Sequence, residues 1–577
     1  MFDLKYGKLL YLLILCYLSL VPFNSSFCAD IIFINGNIIT VDKNFSIVEA
    51  IAIFGNKIEK VGSNSELLKL SNSKTKIIDL KGKTVLPGLV DSHTHPIYAG
   101  ESELFEEIPN VQTLQELLFY IKEEVKKKND GEWIIHPKFF ATRLNEMRAP
   151  NLKELDEVSP NNPVFLNGSY GGSINSYAMK ISGINKSTDH KGIQKDDVIG
   201  EPTGVLNKSA FKLVKLGGAR SNKLIFNERL DALENILKKY NMVGFTSITD
   251  GQLSPINVKI YQTLLSQGRL SVRVFVNIRA PRFESKEQFA KELKKLGYFT
   301  GFGDSMLRIG ALKIGLDGGI LTGTAYMREP WGERAKEVYG IGGTNYRGIL
   351  NYDEEQLEQI VTIASDIGWK MTAHITGGGG VDMMLDAYDK VNRKNKITDK
   401  RFSIIHGNFF TPKAIVKCKE LGVIADCQYG WFYKDSDAMK YILGDERIKT
   451  FMPLNSMVKA GVIVSGGSDH MVKFDSYSAI NPYNPFLGMY SLITRKNEKG
   501  NVINSSEAIS REDAIKIYTI NNAYGSLEED IKGSLEKGKL ADLIVISDDL
   551  LTCSEESIKD IKVVMTMLDG KIVFDKL

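Results

Sequence analysis

Cysteine and long apolar segments are scarce in this chain. Only five of its 577 residues are cysteine, and the three that follow residue 28, Cys418, Cys427 and Cys553, are separated by nine and 126 residues. Such spacing excludes both a disulfide framework and a zinc site built from cysteine pairs. Beyond residue 28 no segment approaches about 20 uninterrupted apolar residues, so we expect no membrane-spanning helix there. An apolar core must therefore stabilise the fold.

An excess of charge of one sign is also missing. The chain has 73 lysines and arginines against 70 aspartates and glutamates, which gives a formal net charge of +3. This balance indicates no nucleic-acid partner and leaves a small-molecule substrate as the expected one. A homo-oligomer is compatible with the sequence, but no residue pattern specifies the oligomeric state. The chain is long enough for a large core and roughly two to four domains.

Residues 1–28 have the order of a secretory signal peptide. Lys5 and Lys8 precede an apolar run over 9–21, and a short polar stretch then leads to Cys28. The apolar run is too short for a comfortable membrane span. We therefore expect cleavage near Cys28 and an exported protein, periplasmic or secreted, without stable membrane association. An uncleaved N-terminal anchor is the alternative.

Both ends of the remaining chain have the pattern of short strands joined by tight turns. Apolar runs flank Asn35-Gly36 and Gly55-Asn56 near one end, and Asp569-Gly570 near the other. Dipeptides of this type between apolar runs are hairpin signals. We predict a small β-sandwich built from residues 29–86 and 526–577, with the other domain inserted into it.

Residues 87–525 alternate strand-like and helix-like segments, which is the pattern of a parallel α/β fold. Eight apolar segments are strand candidates: Val85–Val90, Phe245–Ile248, Val272–Val276, Ile309–Ile314, Lys370–Ala373, Phe402–Ile405, Gly422–Ala425 and Gly461–Val464. This number predicts a TIM-like (β/α)8 barrel. The stretch over about 98–235 is too long for one connection and predicts an insertion near the barrel mouth.

Histidine is scarce too, which makes the position of each one informative. The chain has seven: His93, His95, His136, His190, His374, His406 and His470. His93 and His95 follow an apolar run, and alternation along a strand would point both to one side. His374, His406 and Asp469 also end apolar runs, and catalytic residues of such barrels gather at the carboxyl ends of strands. His136 and His190 lie in the insertion, where we expect surface positions.

These side chains together predict a metal site. Imidazole and carboxylate groups suit zinc or a similar divalent ion. Any one of the histidines taken alone would more often be a core or surface residue. Four of them at strand ends of one barrel, together with an aspartate, favour the metal site strongly.

The set resembles the amidohydrolase superfamily of metal-dependent hydrolases, and most closely the branch that includes N-substituted formamide deformylase. The matching residues in chain order are His93-Thr94-His95, His374, His406 and Asp469. The likeness extends over nearly the whole mature chain and includes segments 86–93, 202–206, 311–318, 466–469 and 533–543. These motifs are specific for fold and superfamily and much less specific for substrate.

The resemblance implies a ligand set of six residues. In the family, two first-strand histidines and the last-strand aspartate hold one metal, and the histidines of the fifth and sixth strands hold the second. These positions are His93, His95 and Asp469, with His374 and His406. Lys313, at the end of the fourth strand, corresponds to a bridging lysine that can carry CO2 as a carbamate. An unmodified lysine that binds substrate or forms a salt bridge is the alternative. Zinc is the expected ion, with one or two ions per chain left open.

The chain departs from the branch after the fifth-strand histidine. Where the branch usually has an Ile-Gly-Asp-like sequence, this chain has Ile375-Thr376 followed by Gly377–Gly380. A carboxylate is missing there. We expect a mobile or tight loop at the mouth of the site in place of the usual substrate contacts.

The expected activity is hydrolysis of a non-peptide C–N bond, in an amide, N-formyl or N-acyl group. A bound divalent ion lowers the pKa of water from 15.7 towards about 7, which yields hydroxide at neutral pH. Asp469 would take the proton of the nucleophile and pass it to the leaving nitrogen. Asp317, Tyr170 and His470 are candidates to hold the substrate.

Two other functions stay open at this point. One is deamination of a cyclic or aromatic amine, which Lys313 disfavours because deaminases of the superfamily tend to lack the lysine bridge. The other is an exported binding or regulatory protein that keeps the fold without catalysis. The intact ligand set argues against it, because such a protein would have little structural reason to retain these residues.

Overall fold

The computed structural model describes residues 28–104, 108–216, 224–473 and 475–577. The predicted signal peptide lies outside these ranges except for Cys28. Within the ranges, we find no helix that combines the length and the apolar character needed to span a membrane.

A sheet of eight parallel strands forms the centre of the molecule, with its strands in chain order. From first to eighth, these barrel strands are Leu89–Thr94, Phe245–Leu253, Arg273–Arg279, Leu307–Gly315, Met371–Ile375, Ser403–His406, Ile424–Gln428 and Val464–Gly467. The first and eighth strands meet where the Asp469 amide donates to the His93 carbonyl at 2.7 Å and the His95 amide to the His470 carbonyl at 2.8 Å. The predicted TIM-like barrel is confirmed.

The first predicted strand is in fact two strands. Thr84–Pro87 joins the sheet of the terminal domain, and Leu89–Thr94 begins the barrel. Gly88 separates them, and a Cβ at this position would lie 2.2 Å from Oγ1 of Thr246. A continuous apolar run therefore hides a domain boundary at which two backbones approach closely.

Helices alternate with the barrel strands, as amphipathic patterns in the sequence predict. Helix Glu354–Ile367 is an example: Asp353 caps its first turn, Leu357, Ile360 and Ala364 bury one face, and Gly368 ends it. The helices of the barrel region are Pro96–Ser102, Phe226–Met242, Val258–Ser266, Lys286–Lys295, Glu333–Tyr339, Glu354–Ile367, Gly378–Lys394, Pro412–Leu421, Tyr429–Arg447, Leu454–Lys459, Pro485–Thr494, Arg511–Ile517 and Ile520–Gly525.

A separate sheet of five strands lies between the first and second barrel strands in sequence. In spatial order its strands are Ile193–Lys195, Pro202–Asn207, Gly171–Ile174, Val164–Asn167 and Ile134–His136, accompanied by helices Leu114–Lys126, Leu152–Val158 and Ser176–Ser182. The expected surface position of His136 is wrong. Its ring is buried and meets Tyr120 and Phe139 edge to face, with centroids 6.0 Å apart in both pairs.

Both ends of the described chain contribute to one sheet of six strands. Its spatial order is Lys571–Asp575, Val563–Leu568, Leu543–Ile546, Thr84–Pro87, Asn37–Ile39 and Ile47–Val48. A second sheet of four strands has the order Lys57–Gly62, Ala50–Phe54, Ile31–Ile34 and Lys76–Asp79, with helix Asn64–Leu67 beside it. Buried residues of both sheets, including Phe33, Ile53 and Val545, share one apolar core, as expected of a β-sandwich.

Candidate metal centre

Imidazole and carboxylate groups converge at the carboxyl ends of the barrel strands. His93, His406 and Asp469 are buried, and their potential ligand atoms all lie within 4.8 Å of one another. Nε2 of His93 and Nε2 of His95 each lie 3.4 Å from Oδ1 of Asp469. The rings of His374 and His406 are 4.6 Å apart between centroids. The structure therefore brings together the four histidines and the aspartate that the sequence predicts as ligands.

Strand geometry explains why His93 and His95 share a side. Thr94 between them faces the other way, where its hydroxyl hydrogen-bonds with the Tyr240 hydroxyl at 2.9 Å. His374 is oriented differently, because its Nε2 lies 2.9 Å from the Gly318 carbonyl oxygen. When Nε2 donates to that carbonyl, Nδ1 of His374 keeps the lone pair that a metal ligand needs.

Two of these residues have backbone conformations that are costly for a side chain with a Cβ. The φ angle is 73° at His406 and 54° at Asp469, both in the left-handed region. Such residues cost about 1–3 kcal/mol each and persist only where surrounding contacts hold them. At Asp469 the amide donates to His93 and the carbonyl accepts from Nδ2 of Asn481 at 2.7 Å. These contacts direct the carboxylate towards the histidines.

The protonation states fit metal binding. Burial, followed by the charge of Lys313, lowers the pKa of His93 and of His374 to about 3. Burial also holds the pKa of His406 well below its usual value. Burial acts to raise the pKa of Asp469, but hydrogen bonds from His93 and His95 outweigh it and hold the pKa well below the ordinary range. The site thus presents neutral imidazoles and a carboxylate, which are the forms that bind divalent metals.

Unsatisfied nitrogen atoms test the fit further. Nδ1 of His93, His95 and His406 is buried and has no hydrogen-bond partner among the described residues. Buried polar groups are normally satisfied, and exceptions call for an explanation. These nitrogens leave lone pairs free to bind an ion, and with the Asp469 carboxylate beside them the residues present fit a divalent metal.

Lys313, the predicted bridging residue, points into the same cavity. It belongs to the fourth barrel strand, next to Thr372 of the fifth, and its side chain is almost wholly buried. Burial lowers the pKa of Lys313 to about 7, while the carboxylates of Asp469 and Asp426 act in the opposite direction. A large fraction of this amine is therefore neutral near pH 7.

Asp91 is a site residue that the sequence pattern did not single out. Its Oδ1 accepts hydrogen bonds from the amides of His93 at 3.0 Å and Ser468 at 3.1 Å, and its Oδ2 accepts from the Ser468 hydroxyl at 2.6 Å. Burial raises the pKa of Asp91 to about 7 despite these bonds. Asp91 thus joins the first-strand ligands to the turn that carries Asp469. Asp91 alternates with His93 and His95 along the chain, and this pattern could have identified it from the sequence.

The site opens into a cavity that is partly open to solvent. The barrel contributes the ligand side chains, Ile320, Leu321, Asn408 and Trp431, and the insertion contributes Lys138, Phe140, Ser169 and Tyr170. The Tyr170 ring stacks on His374, with centroids 4.6 Å apart and 14° between the planes. Tyr170 therefore lies where substrate binding was expected of it.

Asp317 and His470, the other two residues expected to bind substrate, are not among the residues that line this cavity. The Asp317 carboxylate accepts from the amides of Tyr326 at 3.0 Å, Thr376 at 2.9 Å and Gly377 at 2.7 Å. Nδ1 of His470 pairs with the Tyr240 hydroxyl at 2.8 Å, and its Nε2 with the Lys473 carbonyl. Both side chains hold neighbouring backbone in place.

The glycine run after His374 forms a tight connection and not a mobile loop. Helix Gly378–Lys394 begins within it, and its first three glycines are buried. A Cβ on Gly377 would lie 2.2 Å from the Tyr326 carbonyl oxygen, and one on Gly379 would lie 2.8 Å from that of Met327. The glycines let this helix approach another segment closely. Asp317 lies in the connection after the fourth barrel strand, and its carboxylate accepts from the Gly377 amide at the start of this helix.

Known proteins share this architecture. N-substituted formamide deformylase from Arthrobacter pascens is 27% identical over 558 residues, which cover 95% of this chain and 98% of that protein. An uncharacterized metal-dependent hydrolase from Pyrococcus horikoshii is 22% identical with a TM-score of 0.66, covering 91% of this chain and 99% of that one. Atrazine chlorohydrolase from Arthrobacter aurescens, solved with zinc, is 13% identical with a TM-score of 0.53 and 95% coverage of both chains. The Amidohydrolase family matches residues 76–574, and this chain therefore belongs to that family.

Proposed function

We propose that this chain hydrolyses a non-peptide C–N bond, in an amide, N-formyl or N-acyl group, with the help of zinc. The observation that carries the proposal is the convergence of buried groups from His93, His406 and Asp469 within 4.8 Å. Histidine nitrogen and carboxylate oxygen are ligands that zinc prefers. The proposed ligands are His93, His95, Lys313, His374, His406 and Asp469.

Asp469 is the proposed general base. A divalent ion in this site supplies Lewis acidity for the substrate carbonyl and acidifies water towards a pKa of about 7. The Asp469 carboxylate is ionised at neutral pH, because hydrogen bonds from His93 and His95 hold its pKa low. It takes the proton of the attacking water and returns it to the leaving nitrogen, which departs as a neutral amine.

Lys313 is the proposed bridge between two ions. A carbamate forms only on a neutral amine, and burial brings the pKa of Lys313 to about 7. Addition of CO2 and loss of a proton would convert this amine into an anion beside the neutral imidazoles of His93, His374 and His406. This charge change favours binding of a second divalent ion.

One relative supports an acyl-nitrogen substrate. N-substituted formamide deformylase matches 95% of this chain, and its name indicates cleavage of a formyl–nitrogen bond, which supports the same kind of bond here. Neutral imidazoles and a low-pKa carboxylate also suit hydrolysis of an uncharged carbonyl.

We further propose export of the mature chain, from the order of charged and apolar residues before Cys28. N-terminal sequencing of the protein from its native cell tests this, since an intact leader would contradict it.

The decisive experiment loads the purified chain with zinc and measures metal content and turnover together. N-formyl, N-acetyl and longer N-acyl amines are offered, and release of organic amine and carboxylate is recorded. We expect about one or two zinc ions per chain and amine release that a chelator abolishes. His93→Ala should lower the zinc content measured by elemental analysis.

His190→Ala is the matched control, because His190 lies in the insertion and does not line the cavity. It should leave zinc content and turnover unchanged. Release of ammonia from a cyclic amine, with no cleavage of acyl amines, would establish a deaminase instead. A folded protein that holds no zinc after loading would contradict the metal site itself.

A further inference from the structure

Lys138 is a positively charged group of the cavity that the proposed reaction does not use. It follows insertion strand Ile134–His136, and its Nζ donates to the Ser169 hydroxyl at 2.6 Å. The same Nζ lies 2.8 Å from Sδ of Met471, two residues after Asp469. The ammonium group therefore reaches across from the insertion to the strand end that carries the proposed base.

We propose that the substrate of this site is an amide that also carries a carboxylate, and that Lys138 binds this carboxylate with the help of Ser169. The inference rests on the proposed function, because the amide is the group to be hydrolysed. Among the described residues, no aspartate or glutamate forms an ion pair with Lys138. The carboxylate that acts most strongly on its charge, Asp469, is directed towards His93 and His95.

An unpaired ammonium in a cavity is costly unless a partner arrives. Removing a charged group from water costs several kcal/mol when no counter-charge compensates for it. Burial lowers the pKa of Lys138 to about 8, so the group still carries its charge at neutral pH. A bound carboxylate would supply both the counter-charge and acceptors for the remaining N–H groups.

Neighbouring residues make the contrast clear. Arg143 lies close to Lys138 and is fully paired, with two hydrogen bonds to Asp435 at 3.1 and 2.9 Å. Lys208 has no such partner among the described residues, and its ammonium lies 4.3 Å from the centre of the Tyr170 ring. Burial and the nearby charge of Arg279 lower the pKa of Lys208. Two ammonium groups without a paired carboxylate in the described part of the chain therefore lie on the insertion side of the site, an arrangement that favours association of anionic substrates.

Asn408 supplies an independent indication that the ligand contains an amide. It is completely buried, it lines the cavity, and neither its Oδ1 nor its Nδ2 has a partner among the described residues. A side-chain amide can donate to a carbonyl and accept from an N–H at the same time. Phe140, Leu321 and Trp431 add apolar surface. The chemistry of the lining thus fits an N-acyl amino acid with an apolar side chain.

The first test compares two substrates that differ only in the charged group: racemic N-acetylphenylalanine and N-acetylphenylalaninol. On the zinc-loaded chain we expect kcat/KM to be higher for the acid by about tenfold or more. Lys138→Met should remove this preference, mainly through KM, and leave the alcohol within about twofold. Lys138→Arg should restore part of it. Lys212→Met, an exposed lysine of the insertion, is the matched control and should change nothing.

The second test needs no turnover. Calorimetry compares binding of 4-phenylbutyrate and 4-phenylbutanol to the zinc-loaded wild type and to Lys138→Met. We expect the acid to bind more tightly and to lose about tenfold in affinity in the variant, while the alcohol does not.

If this is found but no amide is cleaved, the carboxylate site stands and the proposed hydrolysis fails. If amides are cleaved but both pairs behave alike in wild type and variant, the hydrolysis stands and the carboxylate site is refuted. If the acid binds Lys138→Met as tightly as the wild type, the zinc and not Lys138 holds the carboxylate. That result also refutes the proposed carboxylate site.

Discussion

The two walls of the cavity are built in different ways. On the barrel wall, the proposed ligands lie at the ends of parallel strands, and buried hydrogen bonds such as those of Asp91 with His93 and Ser468 fix them. On the insertion wall, Lys138 and Ser169 lie in connections of a separate sheet. Strand ends give precise placement, whereas connections tolerate sequence change. We infer that the barrel wall sets the chemistry and the insertion wall selects the substrate.

Removing the proposed base should give the largest effect on the barrel wall. Asp469→Asn keeps the shape of the side chain but loses its basicity, so we expect turnover to fall by about 10²–10⁴-fold. Zinc content by elemental analysis should stay near the wild-type value, since the histidines remain. Asp560→Asn, at an exposed position, is the control. Turnover within a few-fold of wild type would rule out Asp469 as the base.

A methyl group at Gly251 should disturb the metal site, although Gly251 is not one of the proposed ligands. Gly251 lies on the second barrel strand, and a Cβ there would lie 2.1 Å from Cε1 of His93. The imidazole must shift, so Gly251→Ala should weaken zinc binding by about 100-fold, measured by competition with a chelator. Gly315→Ala is the matched control, because a Cβ at that position would have no neighbouring atom within 4 Å. Equal zinc affinity in both variants would show that His93 has room to move and that the barrel wall is less rigid than inferred.

Asp91→Asn should have a smaller effect of the same kind. The amide side chain keeps one acceptor oxygen but cannot accept from His93, the Ser468 amide and the Ser468 hydroxyl together. We expect zinc affinity to fall by about tenfold, as is usual when a group that orients a ligand is changed. The same chelator competition measures it. An unchanged affinity would mean that the strand backbone alone orients His93.

The barrel wall was predictable from the sequence because its information is local. Alternation along one strand places His93 and His95 on one side, and an apolar run before His374 or His406 marks a strand end. Each inference needs fewer than about ten neighbouring residues and the rule that parallel strands end at one edge. The same local patterns predicted the eight-stranded barrel.

The insertion wall was not predictable in this way, because its contacts join distant parts of the chain. Lys138 meets Met471 only after the insertion folds over the barrel mouth, and no local pattern separates it from other lysines. The same holds for His136, which is buried by neighbours of its own sheet, and for the glycine run, whose partner is Tyr326. The surroundings of these residues are set by packing between elements that are distant in sequence. A local sequence pattern describes only one of the two segments that meet.

Tyr170 gives the smallest expected effect and the sharpest test of how the two walls divide the work. Its ring stacks on His374 from the insertion side, and stacked aromatic pairs contribute about 0.5–1.5 kcal/mol. Tyr170→Ala should therefore lower kcat/KM by about twofold to tenfold, whereas Tyr170→Phe keeps the ring and should stay within about twofold of wild type. Steady-state kinetics on one N-acyl substrate compares the two. If Tyr170→Phe loses as much as Tyr170→Ala, the hydroxyl acts on the reacting groups, and the insertion then contributes to the chemistry as well as to the choice of substrate.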